Sequence, residues 1–144
     1  MQPVTTLADL IARVESSDNL QAVRFEPKYE PKIQNVNTMA AICKCNSETS
    51  KILCSMSYGL FQIMGDNLIS LGLSVTPFDY MCSIGIQQQF FNRYCIRNVC
   101  EYTLDEVVND ETKRLDFARK YNGPGNPTAY ANRMMEVFHS GNSK

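Results

Sequence analysis

The chain has 144 residues, with 14 Lys and Arg against 15 Asp and Glu, a formal net charge of −1, 44% hydrophobic residues and 20% charged residues. This length and balance predict a single globular domain that buries enough surface to fold without disulfides or metals. The near-neutral charge argues against a nucleic-acid partner held by bulk electrostatic attraction.

The N-terminal segment MQPVTTLADLIARVESS lacks the basic start and long apolar run of a secretory signal. No window reaches the run of about 18 apolar residues that a membrane span needs. We therefore expect a soluble protein that is made in the cytosol and does not insert into a membrane. Another factor would have to deliver it to a target outside.

The cysteine content leaves several interpretations open. An even number permits up to three disulfides, whereas cytosolic synthesis favours free thiols. A zinc site could use the close pair in CKC with one neighbour, but the spacing does not match a paired CxxC pattern, and the only histidine, His139, is remote. We predict buried thiols, no metal and no cofactor. The six cysteines are Cys43, Cys45, Cys54, Cys82, Cys95 and Cys100.

The first helix is predicted close to the N-terminus. Thr6 suits an N-cap, and Asp9 lies in the first turn, where a carboxylate is favourable. The polar segment SSDN ends this helix near Glu15, because Ser, Asp and Asn compete for backbone hydrogen bonds. Apolar residues recur at helical spacing on one face, at Leu7, Leu10, Ile11 and Val14.

The segment 22–56 has no clean hydrophobic period. Two prolines in AVRFEPKYEPKIQN predict a loop with one short extended piece, and VNTMAAIC predicts a short helix. KCNSETSK is typical of a polar turn, and ILCSM of a second short strand. This region could therefore hold a small β-hairpin.

Two helices are predicted in the middle of the chain. Residues 59–71 are amphipathic, and the following glycine is expected to close that helix. Thr76 and Pro77 suit the N-cap and first position of a long apolar helix that extends toward Val99.

The C-terminal part is also helical in its pattern. Thr103 and Glu106 match a capping box. A helix over about 111–121 is expected to stop at YNGPG, and a last helix, capped by Asn and begun by Pro, is predicted over 126–141. The tail at 139–144 is expected to be flexible.

Three separated segments depart from the pattern of a plain core helix: ESSDN at 15–19, SYGLFQIM at 57–64 and FARKYNGPG at 117–125. In this order they resemble the lysozyme-like superfamily, specifically soluble lytic transglycosylases and goose-type lysozymes. That family has a Glu-Ser pair at a helix end, a Gly-Leu-aromatic/Met-Gln-Ile helix start and an Ala-x-x-Tyr-Asn-Gly segment. NLQAV also resembles its Asn-x-x-Ala-Val run, and the resemblance covers most of the chain.

The resemblance implies a fold as well as an activity. We expect a mostly α, α+β lysozyme-like fold in one catalytic domain, residues 1–144. A helical bundle would surround a long central helix, with a small irregular or β-hairpin region near 22–56 and a substrate groove between the two.

The resemblance implies that Glu15, in the Glu-Ser pair at the helix end, is the general acid. Cleavage of a glycosidic bond needs a proton on the leaving oxygen, and burial against apolar walls raises a carboxyl pKa enough to supply it. The negative end of the helix dipole also disfavours the carboxylate. The structural alternative is a solvated glutamate at a frayed helix end.

The segment SYGLFQIM supplies candidate substrate-binding residues, among them Ser57 and Tyr58. Gly59 would let a saccharide approach the backbone, and Ser57 and Gln62 would offer hydrogen bonds from a rigid helix start. Without the other motifs, the same segment would be a Ser-capped helix with an incidental glutamine.

The segment YNGPG supplies the opposite side of the expected groove. The resemblance implies that Tyr121 points at the catalytic acid and that Asn122 lines the groove. Local turn chemistry at a helix end would explain the same residues without a function. Tyr130 is a further candidate that either binds substrate or only packs.

A long segment separates the Ala-Val and Gly-Leu motifs, whereas transglycosylases usually keep this spacing short. The inserted sequence RFEPKYEP resembles a segment of phage-type muramidases. It adds Glu26 and Glu30 as possible second carboxylates, although Glu26 could instead pair with Arg24.

The leading hypothesis is a monomeric phage endolysin that cleaves the β-1,4 bond between N-acetylmuramic acid and N-acetylglucosamine in peptidoglycan. Lytic transglycosylation to 1,6-anhydromuramic ends is the preferred route, because the order of the motifs is the stronger signal. Hydrolysis with two carboxylates, which the insertion favours, is the alternative. A non-catalytic glycan-binding or structural protein on the same scaffold is the alternative class. Such an endolysin would act in the periplasm after release by a holin, or else be carried on the virion.

Overall fold

The computed structural model describes residues 2–143, and this part of the chain is mostly helical with one small sheet. The α-helices are α1 (Leu7–Ser16), α2 (Val36–Cys43), α3 (Ser47–Cys54), α4 (Gly65–Ser70), α5 (Pro77–Met81), α6 (Ile84–Asn98), α7 (Leu104–Asn109), α8 (Glu111–Asn122) and α9 (Pro127–Asn142). The strands are β1 (Val23–Phe25), β2 (Met56–Tyr58) and β3 (Ile63–Met64), and a 3₁₀ helix spans Pro27–Lys32. No helix within residues 2–143 is long and apolar enough to cross a membrane.

The three strands form an antiparallel sheet in the order β1-β2-β3. Arg24 lies opposite Ser57 between β1 and β2, and Tyr58 lies opposite Ile63 between β2 and β3. β1 follows closely after the end of α1, so the sheet lies next to the C-terminal end of the first helix.

The core fixes the position of α1. Leu10 and Ile11 are fully buried, as are Phe117 of α8 and Met134 of α9. α1 packs against α9, and α9 packs against α8. Burial of each such side chain stabilises the fold by about 1.5–3 kcal/mol. Packing against α9 therefore fixes the position of α1.

An aromatic cluster connects the sheet to the helices. Phe61, between β2 and β3, stacks on Phe91 of α6 with ring centroids 4.4 Å apart. Tyr121 of α8 stacks on Phe117 at 5.3 Å and meets Tyr94 of α6 edge-on at 5.4 Å. These contacts hold the β2–β3 turn against α6 and α8.

Several sequence predictions are confirmed. Thr6 accepts a hydrogen bond from the Asp9 N–H at the start of α1, and Thr103 and Glu106 form a capping box. The predicted helix VNTMAAIC is α2, and the short extended piece after residue 22 is β1. These features are local, which is why the sequence alone reveals them.

The predicted helix over residues 59–71 is wrong in its first half. Residues 56–64 form the β2–β3 hairpin, and helix α4 begins only at Gly65. Gly59 and Gln62 have φ values of +74° and +48°. This left-handed conformation is incompatible with a continuous right-handed helix.

The predicted long helix from Pro77 toward Val99 is two helices, α5 and α6. Ser83 caps α6 by accepting a hydrogen bond from the Ile86 N–H. The carbonyl of Met81 at the end of α5 accepts a hydrogen bond from Gln87 Nε2 at 3.2 Å. A side chain therefore satisfies the carbonyl that a helix break exposes.

Two further boundaries differ from the predictions. The polar stretch KCNSETSK and the start of ILCSM are mostly helix α3, because Asn46 caps it by accepting from the Thr49 N–H at 2.8 Å. α9 continues through Asn142, past the predicted end at residue 141. The last residue of the predicted flexible tail lies outside the described residues.

Candidate active site

Glu15 lies in the last turn of α1, where the chain leaves the helix. Ser17 ends the helix in the left-handed conformation with φ +55°, and its N–H bonds back to Ala12 and Arg13 carbonyls. The C-cap directs the chain away from the helix axis, and the half-buried Glu15 side chain faces the space between α1, the sheet and α9.

The Glu15 carboxyl group has one protein hydrogen-bond donor among the described residues. The Tyr130 hydroxyl donates to Glu15 Oε1 at 2.5 Å, and Tyr130 itself is buried. Because Oε1 is engaged by α9, Oε2 is the oxygen available to a bound molecule.

Burial raises the pKa of the Glu15 carboxyl above its ordinary value, and this cause outweighs the others. The hydrogen bond from Tyr130 and the positive charges of Arg24 and Arg133 act in the opposite direction. The negative charge of Glu26 adds to the rise. Relative to a carboxyl group in water, the Glu15 carboxyl is therefore shifted toward its protonated form, although two cationic side chains are close to it.

Two cavities meet at Glu15, and together they form the cleft. The larger has a volume of about 880 Å³ and the smaller about 510 Å³. Glu15, Arg24, Gln62 and Asn122 line both. An elongated ligand that fills both cavities would pass directly over the Glu15 carboxyl group.

Ser57 and Gln62 line the larger cavity as predicted, but their polar atoms are already engaged within the protein. The Ser57 hydroxyl donates to Gln62 Oε1 at 2.8 Å. Gln62 Nε2 donates to the carbonyls of Ala22 and Gly59 at 3.1 and 2.9 Å. Gln62 thereby shapes the cleft wall by joining the loop before β1 to the hairpin turn.

Tyr58 and Gly59 do not line either cavity, so their predicted place in the substrate groove is wrong. Tyr58 is buried, and its hydroxyl donates to the Leu53 carbonyl at 2.8 Å. A Cβ atom at Gly59 would come within 2.1 Å of Gln87 Oε1. The glycine is thus required by a buried glutamine and not by a saccharide.

Tyr121 does not make the contact with the acid that the resemblance implies for it, and Tyr130 makes that contact instead. Tyr121 lines the larger cavity, but its hydroxyl donates to the Phe61 carbonyl at 2.7 Å instead of pointing at Glu15. Tyr130, the weaker candidate in the sequence, makes the hydrogen bond to Glu15. Tyr121 thereby fixes the hairpin turn, and Tyr130 orients the carboxyl group.

Asn122 lies in the cleft, and its role in substrate binding stays a prediction. It lies exposed at the end of α8 and lines both cavities. Its side-chain amide makes no hydrogen bond to another described residue, so both its donor and acceptor atoms are available to a ligand.

Glu26 shares the larger cavity with Glu15. It lines the larger cavity with a side chain 25% exposed, and its carboxylate is 3.9 Å from the Arg24 guanidinium. The ion pair that the sequence offered as an alternative is therefore present, although it is long. Glu30 is exposed and lines neither cavity, which removes it as a second carboxylate.

Gln87 is a buried structural residue that the sequence analysis missed. Its Oε1 accepts a hydrogen bond from the Leu60 N–H at 2.7 Å, and its Nε2 donates to the Leu20 carbonyl at 3.1 Å. It thus joins the hairpin turn to the loop that follows Glu15. No local signal distinguishes it from its neighbours in the QQQ run.

The cysteines form no disulfide, since all six thiols are free in the structure. Within residues 2–143 no group of three His, Cys, Asp or Glu side chains could hold a metal ion. Burial raises the pKa of the Cys54 thiol to about 11 and that of Cys95 to about 12. Both therefore remain protonated near neutral pH.

A helical bundle, a small antiparallel sheet and a glutamate in the cleft between them define a lysozyme-like protein. The model of the N-acetylmuramidase family matches residues 13–142. The endolysin of Enterobacteria phage PRD1 is 38% identical over 133 residues, which cover 82% of this chain and 86% of that endolysin. No solved structure matches. The chain belongs to the N-acetylmuramidase family.

Proposed function

We propose that this protein is an endolysin-type muramidase that cleaves the β-1,4 bond between N-acetylmuramic acid and N-acetylglucosamine in peptidoglycan, with Glu15 as the general acid. The main observation is the position of Glu15 where two cavities meet, with burial raising its pKa. The N-acetylmuramidase family of the chain and its similarity to the PRD1 endolysin support this activity.

Glu15 has the surroundings that a general acid needs. A carboxyl group that stays partly protonated near neutral pH can donate to the glycosidic oxygen as the bond breaks. The Tyr130 hydroxyl holds Oε1. Oε2 is then free to meet the leaving oxygen of a glycan strand that lies across both cavities.

Glu26 supports hydrolysis as the route. It lines the same cavity as Glu15 and is close enough for its charge to raise the Glu15 pKa. A second carboxylate on the cleft wall can orient a water molecule or stabilise an oxocarbenium ion. The Glu26 carboxylate lies 3.9 Å from the Arg24 guanidinium.

Lytic transglycosylation is the second candidate for the route. In that reaction Glu15 would protonate the leaving oxygen and then accept the proton from the 6-hydroxyl of muramic acid, which closes onto C1. The 3.9 Å pair between Glu26 and Arg24 is the observation that favours it, because an engaged carboxylate is less available to water. The family description gives hydrolysis the stronger support.

The products distinguish the two routes. Mass spectrometry of digested peptidoglycan should show reducing-end muropeptides, which are one water heavier than 1,6-anhydromuropeptides. Glu15→Gln should lose about 10²–10⁴-fold in rate, and Glu26→Gln should lower the yield of reducing ends. Glu48→Gln, at an exposed position on α3, is the matched control and should leave the rate unchanged.

Three outcomes would contradict parts of this proposal. Anhydro products alone would replace hydrolysis by transglycosylation. Activity of Glu15→Gln within a few-fold of wild type would remove Glu15 from the mechanism. Retained binding to peptidoglycan with no cleavage by the native chain would support a glycan-binding protein on this scaffold instead.

The proposed setting is the host cell wall. We infer that the enzyme, as a monomer without a cofactor, acts on glycan strands during phage infection, either after release across the inner membrane or on the virion. The phage origin of the relative supports this setting.

A further inference from the structure

The larger cavity has a basic wall built by the 3₁₀ helix Pro27–Lys32. Lys28, Tyr29 and Lys32 line it from this side. Both lysines are exposed, and Lys28 Nζ lies 5.0 Å from the centre of the Tyr29 ring. Lys28 and Tyr29 belong to the segment RFEPKYEP, and Lys32 directly follows it.

Lys28 and Lys32 are the cations of the larger cavity that have no ionic partner among the described residues. Lys120, on the opposite wall, is held by Asp116 at 2.8 Å, and Arg24 is paired with Glu26. No ion pair among residues 2–143 involves Lys28 or Lys32.

The carboxylates of the larger cavity have partners other than these lysines. Asp66 accepts hydrogen bonds from the Asn35 backbone N–H at 2.8 Å and from its side-chain amide at 3.1 Å. Glu15 is held by Tyr130, and Glu26 by Arg24. The free positive charge on this wall is therefore available to an anionic part of a ligand.

We propose that Lys28 and Lys32 bind the carboxylates of the peptide stem attached to N-acetylmuramic acid, an inference that rests on the proposed function. The pyranose rings and N-acetyl groups of the glycan are uncharged. The anionic groups of peptidoglycan are the carboxylates of its stem, which branches from the lactyl ether of muramic acid. A stem that leaves the glycan in the larger cavity would pass along the 3₁₀ helix.

Lysine suits this ligand. Its ammonium group is a mobile point charge on a flexible chain, which tolerates a peptide of variable conformation better than the rigid fork of arginine does. Two lysines four positions apart present two such charges along one wall. They would select stem-bearing glycan without contacting the bond that is cleaved.

The test compares two forms of one substrate. Two substrates are digested by the full chain: glycan strands with intact stems, and the same strands stripped of stems by an amidase, with the lactyl carboxylate that the amidase exposes converted to its uncharged amide. Cleavage rates are measured at low ionic strength. The wild type should cleave stem-bearing strands faster. The double variant Lys28→Gln/Lys32→Gln should lose about fivefold on them and almost nothing on stripped strands, because exposed charge pairs contribute modestly. Lys51→Gln on α3, which lines neither cavity, is the charge-matched control.

Added salt gives an independent readout. The preference of the wild type for stem-bearing strands should shrink as ionic strength rises, and that of the double variant should not change. Equal losses on both substrates, or a wild type that does not prefer stems, would overturn the inference and leave the muramidase activity in place. A wild type that cleaves neither substrate would overturn the proposed function itself.

Discussion

Tyr130 and Glu15 are 115 positions apart in the chain, yet the Tyr130 hydroxyl donates its hydrogen bond to Glu15 Oε1. The contact joins α9 to the end of α1, two helices that also pack through the core. The last helix of the fold thus orients a carboxyl group supplied by the first. This relationship suggests a role for Tyr130 as a positioning residue.

Tyr130→Phe should move the alkaline limb of the pH–rate profile to higher pH. The lost hydrogen bond lowers the pKa of Glu15 in the native protein, so its removal raises that pKa further. The maximal rate should fall by about tenfold, because the acid is no longer held in one orientation. Tyr121→Phe is the control, since its hydroxyl bonds the Phe61 carbonyl, and it should leave the limb in place. An unchanged limb in Tyr130→Phe would assign the tyrosine to packing alone.

Glu15→Gln should gain stability relative to wild type as the pH rises. Burial raises the folded-state pKa of Glu15 above the reference value of 4.5, so the native state binds its proton more tightly than the unfolded state does. The wild type then loses stability relative to the variant between pH 4.5 and the raised pKa. Below pH 4.5 the difference between the two proteins in the free energy of unfolding should be constant. Denaturant unfolding of both proteins from pH 4 to 8 measures it, and a difference that shrinks with rising pH would be contrary to the proposed burial.

Gln62→Ala should lower both stability and activity. The substitution removes three hydrogen bonds that hold the hairpin turn, and the expected cost is about 1–3 kcal/mol in the free energy of unfolding. Asn122→Ala is the matched comparison, because that amide lines both cavities without a protein partner. It should change stability by less than about 0.5 kcal/mol and still slow cleavage. Urea unfolding measures stability, and turnover of peptidoglycan measures activity. If Asn122→Ala lowered stability and Gln62→Ala slowed cleavage without lowering stability, Asn122 would be the structural residue and Gln62 the substrate-binding one.

Folding should require neither a disulfide nor a metal ion. We expect dithiothreitol and EDTA to leave the melting temperature unchanged. Alkylation followed by mass spectrometry should label exposed Cys82 and Cys100 first, and buried Cys54 and Cys95 only after unfolding. Unfolding by reductant would reveal a structural disulfide, and unfolding by EDTA a structural metal.

The sequence reveals local features of the fold well. N-caps at Thr6 and Thr103, the Pro-initiated starts of α5 and α9, and the end of α8 near YNGPG depend on a few neighbouring residues. The same is true of Glu15, whose place at a helix end follows from the apolar period before it and the polar segment after it. The helical class of the fold follows from the same patterns.

The hairpin at SYGLFQIM shows where local patterns are insufficient. Apolar residues at helical spacing predicted a helix there, but Gly59 and Gln62 adopt left-handed conformations. Their hydrogen bonds reach the carbonyl of Ala22 on the preceding loop. A contact to a residue about 40 positions away decides this segment, and no window of the sequence contains both partners.

The sequence by itself thus determined the helical class, most helix ends and the candidate acid, since each of these depends on side chains that are near one another along the chain. Only the tertiary structure decided which tyrosine faces Glu15, which carboxylate shares its cavity, and why Gly59 is a glycine. Tyr130, and not Tyr121, donates a hydrogen bond to Glu15, because α9 packs directly on α1. Gly59 is required because buried Gln87, 28 positions away, occupies the space that a Cβ atom would need. Such relationships arise from packing between distant elements, and packing is decided only when the whole chain folds.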